Sequence, residues 1–161
     1  MAETLGSLCD KLVVVVLKHW HSQDQEQVKN ILFQEKLLQE EINEYIQSAV
    51  EGLIPFEQLS LPSNKVYKKE GDWVHKFYDN IGEIFSALIL ANCKLWHVQE
   101  KAYEFEKVPM EEKDTLINQQ SILNLERNQC IDEINAKFYT LIKDTHPSKQ
   151  KGGKEDALFH S

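Results

Sequence analysis

The chain has 161 residues and a mass of 18.8 kDa, the size of one ordinary domain. Hydrophobic residues make up 42% and charged residues 27%, which excludes a wholly disordered chain. Asp and Glu outnumber Lys and Arg by 26 to 18, and the formal charge of -8 argues against nucleic acid or an anionic membrane as the main partner. With only 6 glycines and 4 prolines, long segments carry few helix breakers, and we expect an all-α fold.

The cysteines and the start of the chain favour a reduced, cytoplasmic protein. Cys9, Cys93 and Cys130 lie far apart and form no CxxC pair, so neither a zinc knuckle nor a thioredoxin-like motif is present. The first residues lack a basic stretch, and the apolar run at 12–17 is too short for a signal peptide or a membrane span. We therefore expect a cytoplasmic location and buried, unreactive thiols.

The first half of the chain predicts two helices. Over 4–23 apolar residues recur every three or four positions, and this spacing continues on both sides of four consecutive valines. The stripe ends at Trp20, which we expect to anchor the packing of the hairpin. Asp24 followed by Gln27 predicts a capping box that opens a second helix over 25–51. A short break between two such helices is typical of a helical hairpin.

The second half predicts two further helices after a long connection. A third helix over 72–106 is apolar nearly all round between residues 84 and 91, as is typical of a central buried helix. Pro109 suits the first turn of a fourth helix that ends near residue 143. The predicted plan is a single helical-bundle domain over 1–143, with hairpin one at 4–51, a crossover at 52–71, hairpin two at 72–143 and a flexible tail at 144–161.

The two halves are similar to each other. At a constant offset of 76 residues, Trp20-His21 falls on Trp96-His97, and Gly6 falls on Gly82. At an offset of 92, the second helix matches the fourth, so that 40–43 falls on 132–135. We therefore expect an antiparallel four-helix bundle built from two duplicated helical hairpins, of which the second is longer.

One charge interrupts the apolar stripe of each hairpin's second helix, at equivalent positions of the repeat. These charges are Glu35 and Arg127. A charge on an apolar stripe is unfavourable unless it is paired, so the sequence predicts that the two meet as a structural pair. The alternative is that both side chains reach solvent along the bundle surface.

Two His–acid pairs at a spacing of three residues are candidate metal ligands. They are His21 with Asp24, and His97 with Glu100, and each pair shares one helix face. A divalent metal is therefore a candidate cofactor, although the spacing selects no particular metal. The alternative is a hydrogen bond within each pair, with Asp24 acting as a helix cap.

The carboxylates of two successive helices suggest a second possible metal site. The segments 38–46 and 79–85 are similar to the Mg-binding helices of the MazG-type nucleoside triphosphate pyrophosphatases. This likeness implies a metal-dependent hydrolase of a nucleotide or sugar nucleotide, with Asn80 standing where that family carries a second-helix carboxylate. The implied ligands are Glu41, Glu44, Asp79 and Glu83.

Three segments resemble an uncharacterised bacterial family of small all-helical proteins, some of them encoded near surface-polysaccharide and glycosyltransferase genes. The segments are 4–12, 95–100 and 123–128, the last followed by Ile131-Asp132. The first hairpin departs from the family, because Glu35-Lys36 replaces an Arg-Asn motif, so the resemblance places a ligand site in the second half. The implied ligand-binding residues are Trp96, His97, Glu100, Arg127, Asn128 and Asp132.

Two classes of function fit these patterns. The first is a soluble binding or accessory protein that presents a polar cluster to a small ligand or a protein partner, linked through the resemblance to surface-polysaccharide synthesis. The second is the metal-dependent hydrolase described above. No nucleophile elbow, Walker loop, Rossmann glycine motif or HExxH segment occurs. We expect no nucleic acid or membrane as partner and leave a homo-oligomer open.

Overall fold

A computed structural model describes residues 3–62 and 80–146, and every element in those ranges is helical. The elements are α1 (Leu5–His21), α2 (Gln25–Val50), α3 (Phe56–Leu59), α4 (Ile81–Tyr103), a 3-10 helix (Phe105–Lys107) and α5 (Met110–Thr145). The all-α prediction is confirmed. The predicted start of the third helix, residues 63–71 of the crossover and most of the tail lie outside the described residues.

Side-chain caps decide where three of the helices begin. Thr4 and Ser7 form a reciprocal capping box at α1, in which each side chain accepts from the other's backbone N–H. Asp24 is the N-cap of α2, as predicted. Its carboxylate accepts a hydrogen bond from the backbone N–H of Glu26, the second residue of the helix. Asn80, which the sequence comparison treats as a replaced carboxylate, is the N-cap of α4.

The helices pack as two antiparallel pairs, α1 with α2 and α4 with α5, and α1 also packs against α5. The core contains a buried residue of the short α3 as well. The buried members of the core are Leu5, Ala49, Leu59, Ile84, Leu88, Cys130, Ile131, Ile134, Phe138 and Ile142. Helix α2 contributes a single residue, Ala49, to the buried core of the described chain, so most of its surface is at the outside of the helical assembly.

Helices α1 and α5 approach most closely at Gly6. Its backbone N–H donates to Oδ1 of Asn135 at 2.8 Å. A Cβ at this position would overlap the carbonyl oxygen of Ile131, so no side chain fits there. This contact fixes how far α1 can slide or rotate on α5.

The second helical pair is longer than the first. Helix α4 has 23 residues against 17 in α1, and α5 has 36 against 26 in α2. At about 1.5 Å per residue the second pair extends beyond the turn between α1 and α2. Part of α4 and α5 therefore projects past the end of α1.

Two expectations about burial are wrong. Trp20, expected to anchor the hairpin packing, is 84% exposed because it lies on the outer face of the last turn of α1. Helix α4 is not buried all round, since Ile89 and Leu90 are about half exposed. Among the described helices α4 is the one long and apolar enough to span a membrane by composition, and 33% of that window is buried.

Candidate functional site

A buried carboxylate, that of Asp10 in α1, joins three helices. Arg127 of α5 donates from Nε to Oδ1 at 2.7 Å and from Nη2 to Oδ2 at 2.5 Å, a bidentate geometry. Asn92 of α4 donates from Nδ2 to the same Oδ1 at 3.1 Å and also to the carbonyl of Leu88. These bonds hold α1, α4 and α5 in register at one point.

The Asp10–Arg127 pair is mostly withdrawn from solvent. The Asp10 side chain is 7% exposed and that of Arg127 is 26% exposed. Hydrogen bonding to Asp10 raises the pKa of the Arg127 guanidinium above its ordinary value, although partial burial opposes this shift. A carboxylate at this depth needs its cation, so removing Arg127 would leave a strongly disfavoured buried charge.

The predicted pairing of Arg127 with Glu35 is corrected by this geometry. Both hydrogen-bonding edges of the Asp10 carboxylate face Arg127, whereas Glu35 lies on α2. Oε2 of Glu35 is instead 3.3 Å from Nδ1 of His19, in a contact that lacks hydrogen-bond geometry. Since α2 packs mainly on α1, its charged side chain meets a residue of α1 and not of α5.

Arg127 is also where two cavities meet. One, of about 410 Å³, lies between α1 and α2, and the other, of about 310 Å³, lies between α1, α4 and α5. Val14, Lys18 and Arg127 line both of them. The ion pair at the edge of the core therefore presents part of the guanidinium to two spaces that could take a ligand.

The second cavity has aromatic and polar walls. Trp96 and Tyr103, two helical turns apart on α4, contribute the aromatic surface. The imidazole of His21 stacks on the Trp96 indole with ring centroids 4.4 Å apart and 17° between the planes. The indole N–H donates to Oε1 of Glu100 at 2.9 Å, which fixes the orientation of the ring.

The predicted ligand-binding residues divide into two groups. Trp96, Glu100 and Arg127 line the 310 Å³ cavity together. Asn128 is buried and Asp132 is half-buried. Both lie on faces of α5 other than that of Arg127, and neither lines either cavity.

His97 belongs to another part of the surface. It lines a shallow apolar groove between α4 and α5, of about 370 Å³, and its Nδ1 lies 3.7 Å from Oε2 of Glu100. Successive residues on a helix point about 100° apart, so His97 cannot share the direction of Trp96.

The structure does not assemble the first predicted metal site. Within residues 3–62 and 80–146, no group of three or more His, Cys, Asp or Glu side chains is placed to hold a metal ion. Asp24 caps α2, His21 stacks on Trp96, and His97 lies beside Glu100 on another helix. Of the alternative interpretation, the cap at Asp24 is confirmed, whereas Nδ1 of His21 contacts the carbonyl of Leu17 and the 3.7 Å His97–Glu100 contact is too long for a hydrogen bond.

The second predicted metal site is described only in part. Glu41 and Glu44 line a groove beside α1, while Glu83 lies in the first turn of α4. These three side chains form no metal-binding group in the described ranges, and Asp79 lies outside them.

Four residues of the site are absent from the predicted set, and two of them carried a usable signal. Asp10 lies one turn after Gly6 and one turn before Val14, so it is an acid on the inward face of α1. Asn92 lies one turn after Leu88 on the most apolar stretch of α4. Lys18 and Tyr103 had no such signal, because exposed lysines and tyrosines near helix ends are common.

Compared with protein-family models, with curated proteins and with solved structures, the chain matches none. The resemblance to the bacterial polysaccharide-linked family therefore stays a hypothesis. The function is inferred from the chemistry of the site.

Proposed function

We propose that this protein is a small binding or accessory protein whose ligand occupies the cavities at Arg127. The observation that carries this proposal is the guanidinium itself, held by a buried carboxylate at the point where two cavities meet. Only two of its nitrogens are engaged by Asp10, so further N–H groups are available to a ligand. An ion pair that only stabilised the fold would not need two cavities beside it.

The lining suggests a polar ligand that combines a ring with an anionic group. Lys18 supplies positive charge next to both cavities in a protein whose overall charge is negative, and Arg127, whose charge Asp10 balances, supplies further N–H donors. Trp96 and Tyr103 supply aromatic faces for a sugar or base, and Glu100 and Gln99 supply hydrogen-bonding groups at the rim. A sugar nucleotide has all of these features.

The resemblance noted in the sequence supports the same class of ligand. Some members of that bacterial family are encoded near glycosyltransferase genes, whose products consume sugar nucleotides. We therefore propose a role in surface-polysaccharide synthesis, with the protein binding a sugar nucleotide or a related anionic glycoside.

We also propose that the fold is a four-helix bundle made by duplication of one helical hairpin. Gly6 and Gly82, equivalent at the offset of 76, both occupy the second position of their helices, after the N-caps Thr4 and Asn80. The paired packing of α1 with α2 and of α4 with α5 supports the same interpretation. Superposition of α1–α2 on α4–α5 in a crystal structure of this protein would test it: Gly6 should fall on Gly82, and Asn43 on Asn135.

Ligand-dependent thermal unfolding tests the binding proposal. UDP-glucose and GDP-mannose at 1 mM, with UDP and GDP alone as comparison, should raise Tm by at least about 2 °C for one of the sugar nucleotides. Lys18→Ala and Trp96→Ala should remove the shift, whereas Lys29→Ala, an exposed lysine on α2, should retain it. An equal shift in all three variants, or none in the wild type, would contradict the proposal.

A further inference from the structure

The two cavities beside Arg127 adjoin each other. Val14 and Lys18 of α1 line both cavities, and so does Arg127 of α5. A ligand that reaches from one cavity into the other therefore passes Lys18 and Arg127. The volumes of about 410 Å³ and 310 Å³ both lie in the lower part of the range of roughly 300–1,000 Å³ that is usual for ligand sites, so a ligand as large as a sugar nucleotide needs both cavities.

The cavity between α1, α4 and α5 has the wall that a nucleobase needs. Trp96 and Tyr103 line it with aromatic surface. The hydrogen bond to Glu100 fixes the orientation of the Trp96 indole. His21, which stacks on that indole, does not line the cavity, so part of the ring remains open to a ligand. A fixed aromatic surface accepts any base by stacking, because every base has a π-face.

The cavity between α1 and α2 has walls that suit a sugar better than a base. The described residues that line it include no aromatic side chain. Gln34 and Glu41 of α2, both exposed, present an amide and a carboxylate to it. They lie about two helical turns apart on one face of α2. Sugar hydroxyls both donate and accept hydrogen bonds, so an amide and a carboxylate at this spacing can bind a sugar ring from two sides.

The charge of the α1–α2 cavity changes along its length. Lys18 lies at the end nearest the turn between the two helices, and Glu41 lies at the opposite end. Glu41 also lines the neighbouring groove, together with Glu3 and Glu44. Lys11, the other lysine of the cavity, donates to Glu3 and is already paired. An anionic group is therefore favoured at the Lys18 end and disfavoured at the Glu41 end.

From these walls we propose that one sugar nucleotide spans both cavities. Its base lies against Trp96, and its phosphates lie at Lys18 and Arg127. Its sugar lies between α1 and α2, where the hydroxyls bond to Gln34 and Glu41. Because the Glu41 carboxylate faces the sugar, the sugar carries no acidic group, and a uronic acid is rejected by its like charge. The inference rests on the proposed function and adds to it the class of sugar and the residues that determine specificity.

Isothermal titration calorimetry with UDP-glucose and UDP-glucuronic acid tests the class of sugar. At low ionic strength the wild type should bind UDP-glucose about tenfold more tightly, because like charges that face each other oppose binding. Glu41→Gln should reduce that preference to about twofold or less. Glu40→Gln should keep it, since Glu40 is the neighbouring exposed carboxylate of α2 and lines neither cavity. Equal binding of the two compounds by the wild type, a preference that survives Glu41→Gln, or its loss in Glu40→Gln would overturn the inference.

The substitution Gln34→Ala separates the contacts of the sugar from those of the nucleotide. Gln34 is exposed, so the fold should not depend on it. Loss of one hydrogen bond should weaken UDP-glucose binding about fivefold and leave UDP binding unchanged. Lys18→Ala should weaken the binding of both compounds, since both carry the diphosphate. Equal weakening of UDP and UDP-glucose by Gln34→Ala, or no weakening of either, would place the sugar elsewhere and overturn the inference.

Tryptophan fluorescence tests the placement of the base. In a chain with Trp20→Phe and Trp73→Phe, Trp96 is the remaining tryptophan. UDP and UDP-glucose should quench its emission to the same extent by stacking, whereas glucose 1-phosphate, which lacks a base, should not. Quenching by glucose 1-phosphate, or none by saturating UDP-glucose, would overturn the inference.

Failure of this inference can be told from failure of the proposed function. If a sugar nucleotide raises Tm in a manner that depends on Lys18 and Trp96, the proposed function stands even where Glu41→Gln and Gln34→Ala change nothing. A shift with GDP-mannose but no binding of UDP-glucose has the same meaning, because stacking does not select the base. If no sugar nucleotide binds, both proposals are wrong.

Discussion

The substitution Arg127→Met tests the centre of the site most directly. Methionine fills much of the volume of the arginine stem but removes the cation from the buried Asp10 carboxylate. Asn92 then remains as the hydrogen-bond donor to that carboxylate. We expect a loss of stability larger than the loss from Asp10→Asn, since Arg127 is partly exposed and can be solvated when its partner is neutral.

The magnitude follows from the burial of the pair. Removing one partner of a fully buried ion pair costs about 3–5 kcal/mol. Arg127 is about a quarter exposed and Asn92 still donates to Asp10, so we expect about 2–4 kcal/mol for Arg127→Met. In a chain of this size, that loss lowers Tm by roughly 5–15 °C.

A double-mutant cycle measured by urea unfolding checks the pairing. The coupling free energy between Arg127→Met and Asp10→Asn should be at least about 1 kcal/mol. The matched cycle of Arg127→Met with Glu35→Gln should give a coupling near zero, because Glu35 contacts His19. A cost below about 1 kcal/mol for Arg127→Met, or stronger coupling to Glu35 than to Asp10, would refute the assigned pair.

Three further predictions concern the packing and titration of α1 and its N-terminal residues. Gly6→Ala should destabilise the fold by about 2 kcal/mol in urea unfolding, because its Cβ meets the Ile131 carbonyl; a neutral effect would contradict the close approach. Burial raises the pKa of the Cys9 thiol to about 11, so iodoacetamide at pH 8 should alkylate it about 100-fold more slowly than in urea, as mass spectrometry would show. Hydrogen bonding to Lys11 lowers the pKa of Glu3 below 4.5, so its stabilisation is present above that pH and lost below it. Glu3→Gln should reduce Tm slightly at pH 7, and the Tm difference from the wild type should shrink as the pH falls below 4.5.

The helices could be predicted from local patterns because local contacts determine them. Asp24 could be identified as a cap because Gln27 follows it at capping-box spacing, and it does cap α2, through the backbone N–H of Glu26. Exposure could not be predicted in the same way. Trp20 lies on an apolar stripe in sequence, yet the outer side of that stripe has no neighbouring helix in the described part of the chain.

The site could be predicted only in part, since it depends on how the two helical pairs are rotated against each other. Arg127 was identifiable because a charge on an apolar stripe must be compensated. The identity of its counter-ion was not, because Asp10 and Glu35 are both acids on helices of the first pair. The close approach at Gly6 brings α1, and not α2, against α5. Asp10 of α1 is therefore the counter-ion of Arg127.

The proposed duplication explains why the chain should have one ligand site and not two. Under that duplication, Ser86 and Glu35 stand where the α1–α5 interface has Asp10 and Arg127. A serine and a glutamate cannot form the buried bidentate pair that holds Arg127, so the equivalent positions of α2 and α4 cannot present a second guanidinium to a ligand.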